Sequence, residues 1–149
     1  MYYDPSKGHG LPHNPFNAIV SPRPIGWVST RSKDGIDNLA PYSFFNAVAY
    51  TPPQVMFSAT SAKDDQNGTK DTVANIRETG VFCVNIVSEK QLSEMNKSSE
   101  ALSKEIDEFE FSDIEKQECN AINCSLVAGG PAALELSLIH ISEPTRHTS

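Results

Sequence analysis

Residues 21–30 read SPRPIGWVST and carry the first strong structural signal in the chain. Apolar, β-branched and aromatic residues fill the second half of this stretch, which predicts a strand over Gly26–Thr30. Pro22 and Pro24 remove backbone donors, as is typical of a bend or an edge strand. The turn residues 32–35 follow, and Gly35 can take a positive φ there. The apolar stretch after this turn is therefore expected to return as the second strand of a hairpin.

Short apolar segments separated by turn residues continue along the chain. Strands are predicted over residues 54–59, 81–87 and 123–128, with a further strand starting at 132–135. A short helix is predicted over Asp71–Thr79, with Gly80 just past its end. Many short strands with a small helical insert favour a mainly β fold, a β-barrel with appended short helices.

Residues 88–118 have helical character. Ser88-Glu89-Lys90-Gln91 matches a capping box, which predicts the start of a helix. Apolar residues then recur at helical spacing as far as Phe109, and Ser98-Ser99 offers a second cap between two helices. The acidic residues of 100–118 are interpreted as a solvated surface.

Composition limits the classes of protein and partner. The chain has 149 residues, of which 38% are hydrophobic, as in one ordinary globular domain. Its formal net charge of −7 opposes binding to nucleic acid. No apolar run approaches the roughly 20 residues that span a bilayer, and the N-terminus lacks the order of a signal peptide. We therefore expect a cytoplasmic protein with no nucleic-acid or membrane partner.

Residues that could bind a metal or form disulfides are few. The three cysteines, Cys83, Cys119 and Cys124, are too sparse for a disulfide framework and are expected to be free thiols, the last two as buried thiols. His9 and His13 lie four positions apart, but glycine and proline intervene, so they are interpreted as loop histidines. No metal site is predicted.

Several blocks of the sequence together resemble a known family. Residues 21–30, Asp34-Gly35, residues 38–46 (NLAPYSFFN) and Lys70-Asp71-Thr72 occur in an order and spacing that resemble the flavin reductase-like family of FMN-binding split barrels. The blocks TGVFCVN at 79–85 and GPAALE at 130–135 also look like that family. The resemblance implies a split β-barrel of the Greek-key type that binds FMN. It covers about residues 15–135, and the last strands of the family's barrel are expected to be missing.

The C-terminal residues have a different character. Residues 136–146, LSLIHISEPTR, look like the translation of a transposase adapter used in sequencing libraries. We therefore expect a flavin reductase-like domain over residues 1–135, incomplete at its C-terminus, and a non-native tail over 136–149. A native amphipathic tail is the alternative.

FMN presents an apolar ring with a polar edge, a ribityl chain and a phosphate, and each needs a different protein surface. The resemblance places the ring against residues 38–46, where small residues let the backbone approach and phenylalanines add apolar surface. Trp27 is interpreted as a core residue rather than as a stacking residue. The candidate ring-binding residues are Ser29, Thr30, Asn38, Ala40, Pro41, Ser43, Phe44, Phe45 and Asn46.

Residues 68–72, GTKDT, enter the predicted helix and are the candidate phosphate site. The amides and dipole at a helix N-terminus suit a phosphate, and Lys70 would add a full charge. Thr69 or Thr72 would add a hydroxyl group. Because the Asp71 carboxylate would repel a phosphate, we assign Asp71 to capping or orientation of the helix start. Without the upstream blocks, this segment would be read as a plain helix start.

The function that the resemblance implies is an FMN-binding oxidoreductase of the flavin reductase type. NADH or NADPH would pass a hydride to the flavin, so no catalytic acid or nucleophile is expected. No Gly-x-Gly-x-x-Gly segment indicates a separate dinucleotide domain. The family also implies a homodimer. Two alternatives stay open: a flavin-binding protein without NAD(P)H reductase activity, acting in electron transfer, storage or sensing, and a non-functional truncated fragment.

Overall fold

The computed structural model describes residues 1–60 and 67–142, apart from the side chains of 67–70. In this part of the chain no helix has the length and apolar character needed to cross a bilayer. The strands are β1 (Gly26–Arg31), β2 (Asp37–Tyr42), β3 (Phe45–Tyr50), β4 (Pro53–Phe57), β5 (Val81–Asn85), β6 (Lys116–Glu118), β7 (Ser125–Val127) and β8 (Ala133–Ser137). The α-helices are α1 (Pro15–Ile19), α2 (Asn67–Thr79), α3 (Leu92–Lys97) and α4 (Glu108–Phe111).

A four-stranded antiparallel sheet with the order β2-β1-β5-β8 forms the centre of the fold. The predicted hairpin is confirmed: β1 pairs with β2, Trp27 lies opposite Pro41, and Arg31 lies opposite Asp37. Gly35 in its turn has a φ of 84°, a conformation that favours glycine. Two further antiparallel ribbons pair β3 with β4 and β6 with β7. The strand β6 has no counterpart among the sequence-based predictions.

Two apolar clusters fill the two faces of this sheet, because neighbouring residues of a strand point to opposite sides. One cluster consists of Trp27, Leu39, Met95, Phe109 and Val127. The other consists of Val28, Tyr42, Ile76, Phe82 and Val84. Trp27 has no exposed surface, which confirms its prediction as a core residue.

The helix α2 covers the second of these faces. It begins at Asn67, earlier than the predicted start at Asp71. Its end agrees with the prediction: Gly80 has a φ of 75°, and its N–H donates to the carbonyl of Ile76 at 2.8 Å. Candidate phosphate residues therefore lie inside the first turns of the helix rather than ahead of it.

The predicted capping box at Ser88 is wrong, although a 3-10 helix with Ser88 at its N-cap position begins where a helix start was predicted. The Ser88 side chain makes no capping hydrogen bond; its hydroxyl donates to Oε1 of Gln91 at 3.3 Å. A 3-10 turn, Glu89–Gln91, follows, and α3 starts only at Leu92. The Ser88 hydroxyl thus bonds to the side chain of Gln91, and it does not accept from a backbone amide as a capping box requires.

The predicted helix restart at Ser98-Ser99 is also wrong. Ser98 ends α3, and its hydroxyl donates to the carbonyl of Met95 at 2.7 Å while accepting from Nε1 of Trp27 at 2.9 Å. The next helix, α4, begins at Glu108 with Asp107 as its cap. The serine that the local pattern assigned to the start of a helix is therefore bonded to the buried indole of Trp27 instead.

The last strand crosses the expected domain boundary. β8 continues past Glu135, and Leu136 lies opposite Phe82 of β5. Ser137 lies opposite Val81 in the same register. The assignment of residues 136–149 to a non-native tail stays a prediction, and residues 143–149 lie outside the described part of the chain.

Candidate functional site

The predicted ring-binding segment lies at the edge of the central sheet. β2 is an edge strand, and a two-residue loop of Ser43 and Phe44 joins it to β3. Ala40, Pro41, Ser43, Phe44 and Phe45 are half-buried, while Asn46 is exposed. A partly open surface of small and aromatic side chains can contact an apolar ring.

Three contacts fix this loop. The Arg23 guanidinium lies over the Phe44 ring, 5.0 Å from its centroid, and its Nη1 donates to two backbone carbonyls near α1 at 2.8 and 2.6 Å. The N–H of Ser58 donates to the carbonyl of Phe44 at 2.8 Å. Gly26 leaves room for Phe45, since a Cβ at position 26 would lie 2.9 Å from the Phe45 ring. Arg23 lies in the stretch 21–30 that carries the family resemblance, but no role was predicted for it from the sequence.

Three other candidate residues are buried and bonded inside the protein. The Thr72 hydroxyl of α2 donates to Oδ1 of Asn38 at 2.8 Å. Nδ2 of Asn75 donates to Oγ1 of Thr30 at 3.0 Å. These bonds join α2 to β2 and β1, so the structure brings Thr30, Asn38 and Thr72 together beneath the helix. Contact between these side chains and a flavin stays a prediction.

Ser29 is buried on the opposite face of β1. Its hydroxyl donates to the carbonyl of Ser125 at 2.6 Å and accepts from Nδ2 of Asn85 at 3.2 Å. Oδ1 of Asn85 in turn accepts from the N–H of Val127 at 2.9 Å. Ser29 therefore connects β1 with β5 and β7, away from the loop that holds Phe44.

The start of α2 is the candidate phosphate site. Thr69 and Lys70 lie in its first turn, where backbone amides have no partner within the helix, but their side chains lie outside the described residues. The assignment of Asp71 as a cap is wrong, because it is the fifth residue of the helix. Its Oδ2 is buried without a hydrogen-bond partner. Burial raises the pKa of Asp71, with Lys104 opposing and Glu105 reinforcing the rise.

Glu108 is a residue that sequence reasoning missed, because it falls in the stretch interpreted as a solvated acidic surface. That interpretation is wrong here: only 2% of Glu108 is exposed. Its Oε1 accepts from Nδ2 of Asn38 at 2.9 Å, and its Oε2 accepts from the N–H of Leu39 at 3.2 Å. Burial raises the pKa of Glu108 to about 7; the bond from Leu39 opposes the rise, and the charges of Asp107 and Asp71 add to it.

A second polar network closes the far end of the hairpin. Arg31 donates to Asp37 at 2.7 Å and to Glu118 at 2.7 Å, while Lys116 and Ser125 donate to Oδ2 of Asp37 at 2.9 and 2.8 Å. Burial alone would raise the pKa of Asp37, but the hydrogen bonds from Arg31, Lys116 and Ser125 outweigh it and hold this pKa below its ordinary value. The Arg31–Asp37 pair could have been found from the hairpin register, since the two residues are directly opposed.

Among the residues that the structure describes, the cysteines and histidines form no comparable site. Cys83 and Cys124 are buried free thiols, and Cys119 is a half-buried free thiol. Burial raises the pKa of Cys83 to about 11 and that of Cys124 to about 12. The His9 ring packs edge-on against Tyr3. Across residues 1–60 and 67–142, no three Asp, Glu, His or Cys side chains are arranged to hold a metal ion.

Two bacterial proteins of undescribed function are similar in sequence. A protein of Aquifex aeolicus (strain VF5) is 51% identical over 92 residues, which is 62% of this chain and 46% of that protein. A protein of Halalkalibacterium halodurans is 34% identical over 123 residues, 82% of this chain and 57% of that protein. The chain thus spans about half the length of these relatives.

Solved structures share the fold. The 2-nitrobenzoate 2-nitroreductase NbaA of Pseudomonas fluorescens has a TM-score of 0.79 and 28% identity, over 98% of this chain and 69% of that chain. An FMN-binding domain of a flavin reductases-like enzyme from Shewanella baltica OS155 has a TM-score of 0.67 and 25% identity, over 79% and 58%. A Shewanella frigidimarina protein with a split barrel domain has a TM-score of 0.70 and 18% identity, over 79% and 56%. The predicted mainly β split barrel with short helices is confirmed.

The sequence itself matches the family described as the flavin reductase like domain over residues 20–149. This range contains the hairpin, the β2–β3 loop and the start of α2, which are the parts of the candidate site. The chain belongs to the flavin reductase-like domain family.

Proposed function

We propose that the protein binds FMN and acts as an oxidoreductase of the flavin reductase type, with NADH or NADPH as the electron donor. The observation that carries this proposal is the 2.8 Å hydrogen bond from Thr72 to Asn38. It ties the start of α2, which would receive the phosphate, to β2, which leads into the ring-binding loop. Membership of the family, and the FMN-binding domain of Shewanella baltica among the similar structures, support FMN as the ligand.

Different parts of the chain would hold different parts of FMN. The half-buried side chains of Phe44 and Phe45, with the backbone around them, offer polar and apolar surface to the ring. The amides of the first turn of α2, with Thr69 and Lys70, would hold the phosphate. Ser29, Thr30, Asn38 and Thr72 would support the backbone around these two regions. The remaining proposed contacts are Ala40, Pro41, Ser43 and Asn46.

The chain's contribution to the reaction is orientation. FMN, when bound, would supply the two-electron redox chemistry, with NADH or NADPH as the hydride donor. Hydride transfer requires the reacting atoms to be held about 3–3.5 Å apart, so a fixed ring position matters more than an added acid or base. Arg23 would contribute to that fixed position by holding Phe44, and Gly26 would contribute by leaving room for the Phe45 ring.

A homodimer forms part of the proposal. Exposed apolar side chains lie on the β3–β4 ribbon: Val48 is 54% exposed and Tyr50 is 89% exposed. A second copy that covered this ribbon would remove them from water, which is favourable. Size-exclusion chromatography with light scattering should give twice the monomer mass, and a monomer at micromolar concentration would contradict this part.

Binding and reduction of flavin are tested together on the purified protein. We expect it to be yellow, or to bind added FMN, and to lose its flavin absorbance when NADH or NADPH is added without oxygen. Bleaching at a catalytic rate supports the reductase. Binding of FMN without bleaching supports instead a flavin-binding protein without reductase activity, and a colourless protein that ignores FMN overturns both.

The phosphate site is tested by comparing FMN with riboflavin, which lacks the phosphate. Lys70→Gln should weaken FMN binding by roughly 10- to 100-fold, since a hydrogen bond to a charged group is worth about 1.5–3 kcal/mol. Riboflavin binding should not change. Lys33→Gln, at an exposed position in the β1–β2 turn, is the matched control and should leave both affinities unaltered. An equal loss for both ligands would show that Lys70 does not contact the phosphate.

A further inference from the structure

At the β2 edge of the central sheet, a backbone N–H group bonds to a side chain instead of to a neighbouring strand. β2 is an edge strand, and an edge strand leaves backbone N–H groups without a strand partner. The N–H of Leu39 donates to Oε2 of Glu108, which reaches it from α4. Glu108 is itself buried, so this bond is shielded from water.

Through Asn38, the same carboxylate is also connected to α2, the helix on the far side of β2. Oε1 of Glu108 accepts from Nδ2 of Asn38, and Oδ1 of Asn38 accepts from the hydroxyl of Thr72. A continuous chain of hydrogen bonds therefore runs from α4 through β2 to α2. These bonds connect β2, which leads to the ring-binding loop, with α2, which would receive the phosphate.

We propose that Glu108 is a positioning residue whose ionised carboxylate holds β2 and α2 in the arrangement that binds FMN, so that protonation of Glu108 weakens flavin binding. The inference rests on the proposed function, since it concerns the same site. It adds a residue outside the candidate binding segments and a dependence on pH.

The two protonation states differ in what they can accept. An ionised carboxylate only accepts hydrogen bonds, and both oxygens of Glu108 face donors, one from Asn38 and one from Leu39. Protonation turns one oxygen into a donor that faces another N–H. One of the two bonds is then lost or lengthened, and either the edge of β2 or its link to α2 loosens.

The charges around Glu108 make this change accessible near neutral pH. Asp107 from its own helix and Asp71 from α2 both raise the pKa of Glu108, after the larger effect of burial, to about 7. The strand β2 carries one carboxylate, that of Asp37, and it is paired with Arg31 and Lys116. Lys116 also pairs with Asp107 at 2.6 Å. Glu108 is therefore ionised above about pH 7 and protonated below it.

Folding and binding should respond to this titration in opposite directions. Because the folded-state pKa of Glu108 is raised from 4.5, the folded chain holds this proton more tightly than the unfolded chain does. That contribution to stability is present below about pH 4.5 and is lost as the pH rises through about 7. Flavin affinity is expected to rise over the same interval, whereas a purely structural role would make affinity follow stability.

The test compares the wild type, Glu108→Gln and the control Glu110→Gln, which changes an exposed glutamate of the same helix. FMN and riboflavin affinities are measured from flavin fluorescence between pH 5.5 and 8.5, with urea unfolding at both limits. Riboflavin is included because a phosphate titrates near pH 6.

For the wild type and Glu110→Gln we expect both affinities to rise by roughly 2- to 10-fold across pH 7, as the loss of one hydrogen bond implies. Glu108→Gln should hold the low affinity at every pH.

A readout without flavin separates this inference from the proposed function. In the ligand-free protein, the NMR shift of the Leu39 amide should titrate near pH 7 in the wild type and not in Glu108→Gln. A Leu39 amide that does not titrate, or an affinity with the same pH profile in Glu108→Gln, overturns the role of Glu108. A titrating amide in a protein that binds neither flavin at any pH overturns the proposed function and, with it, the coupling.

Discussion

Replacing Trp27 with alanine should lower the free energy of unfolding by about 3–5 kcal/mol, the usual cost of truncating a buried aromatic residue. The indole has no exposed surface and packs on Leu39, Met95 and Phe109. Its removal leaves a cavity between the sheet and the helices, and the Ser98 hydroxyl loses the bond from Nε1. Urea unfolding followed by circular dichroism measures the change.

Two further variants divide this effect into its parts. Trp27→Phe retains most of the volume but removes the hydrogen bond, so we expect a smaller loss of about 1–2 kcal/mol. Tyr2→Ala truncates an aromatic residue that is 92% exposed and should leave stability unchanged. A loss below about 1 kcal/mol in Trp27→Ala would contradict the packing of Trp27 at the centre of the core.

Replacing Asp37 with alanine should cost about 1–3 kcal/mol, because Arg31, Lys116 and Ser125 lose a buried charged acceptor, while Glu118 and Asp107 remain as counter-charges for the two cations. Asp37 is 4% exposed and accepts from Arg31, Lys116 and Ser125. Arg31 would then retain its bonds to Glu118, Asn123 and Ser125 of the β6–β7 ribbon. We expect the ribbon of β6 and β7 to detach from the hairpin first, which hydrogen exchange of its amides would detect.

The pH dependence of this variant provides an independent check. Since the folded-state pKa of Asp37 lies below its ordinary value, its contribution to stability is present above about pH 4 and is lost as the pH falls further. The wild type should therefore lose stability in acid more steeply than Asp37→Ala. Asp34→Ala, at an exposed position of the neighbouring turn, should behave like the wild type. Parallel acid curves for all three proteins would count against the buried ion pair.

The parts of the fold that the sequence predicted are those set by neighbouring residues. The β1–β2 hairpin follows from strand formers around a glycine turn, and the burial of Trp27 follows from its place in the strand. Gly80 ends α2 because its φ of 75° suits glycine. Each of these features is decided within a few residues, where sequence patterns are informative.

Several of the errors lie where a distant residue decides the outcome. Glu108 is bonded to Asn38 and Leu39, which are 70 and 69 positions away, and nothing beside it in the sequence indicates burial. Ser98 is bonded to Trp27, 71 positions away, and does not begin a second helix. The strand β6 is only three residues long and is defined by its pairing with β7. The helix and strand propensities of neighbouring residues carry no information about such distant partners.

The candidate site shows the same division. The loop around Phe44 could be assigned from the resemblance, because its residues are consecutive in the sequence. The internal bonds of Thr30, Asn38 and Thr72 depend on how α2 lies on the sheet, and that docking is a tertiary property. The resemblance therefore identified the residues of the site without distinguishing those that face outward from those that support it.

The close approach of Gly26 to Phe45 also constrains how this family member can evolve. A methyl group at position 26 would lie 2.9 Å from the ring of residue 45, so position 26 cannot readily gain a side chain while Phe45 keeps its place. A larger residue at 26 becomes acceptable only after a smaller one has appeared at 45. Substitutions at position 26 of β1 and position 45 of β3 are therefore coupled, and the order in which they arise decides which sequences this fold can reach.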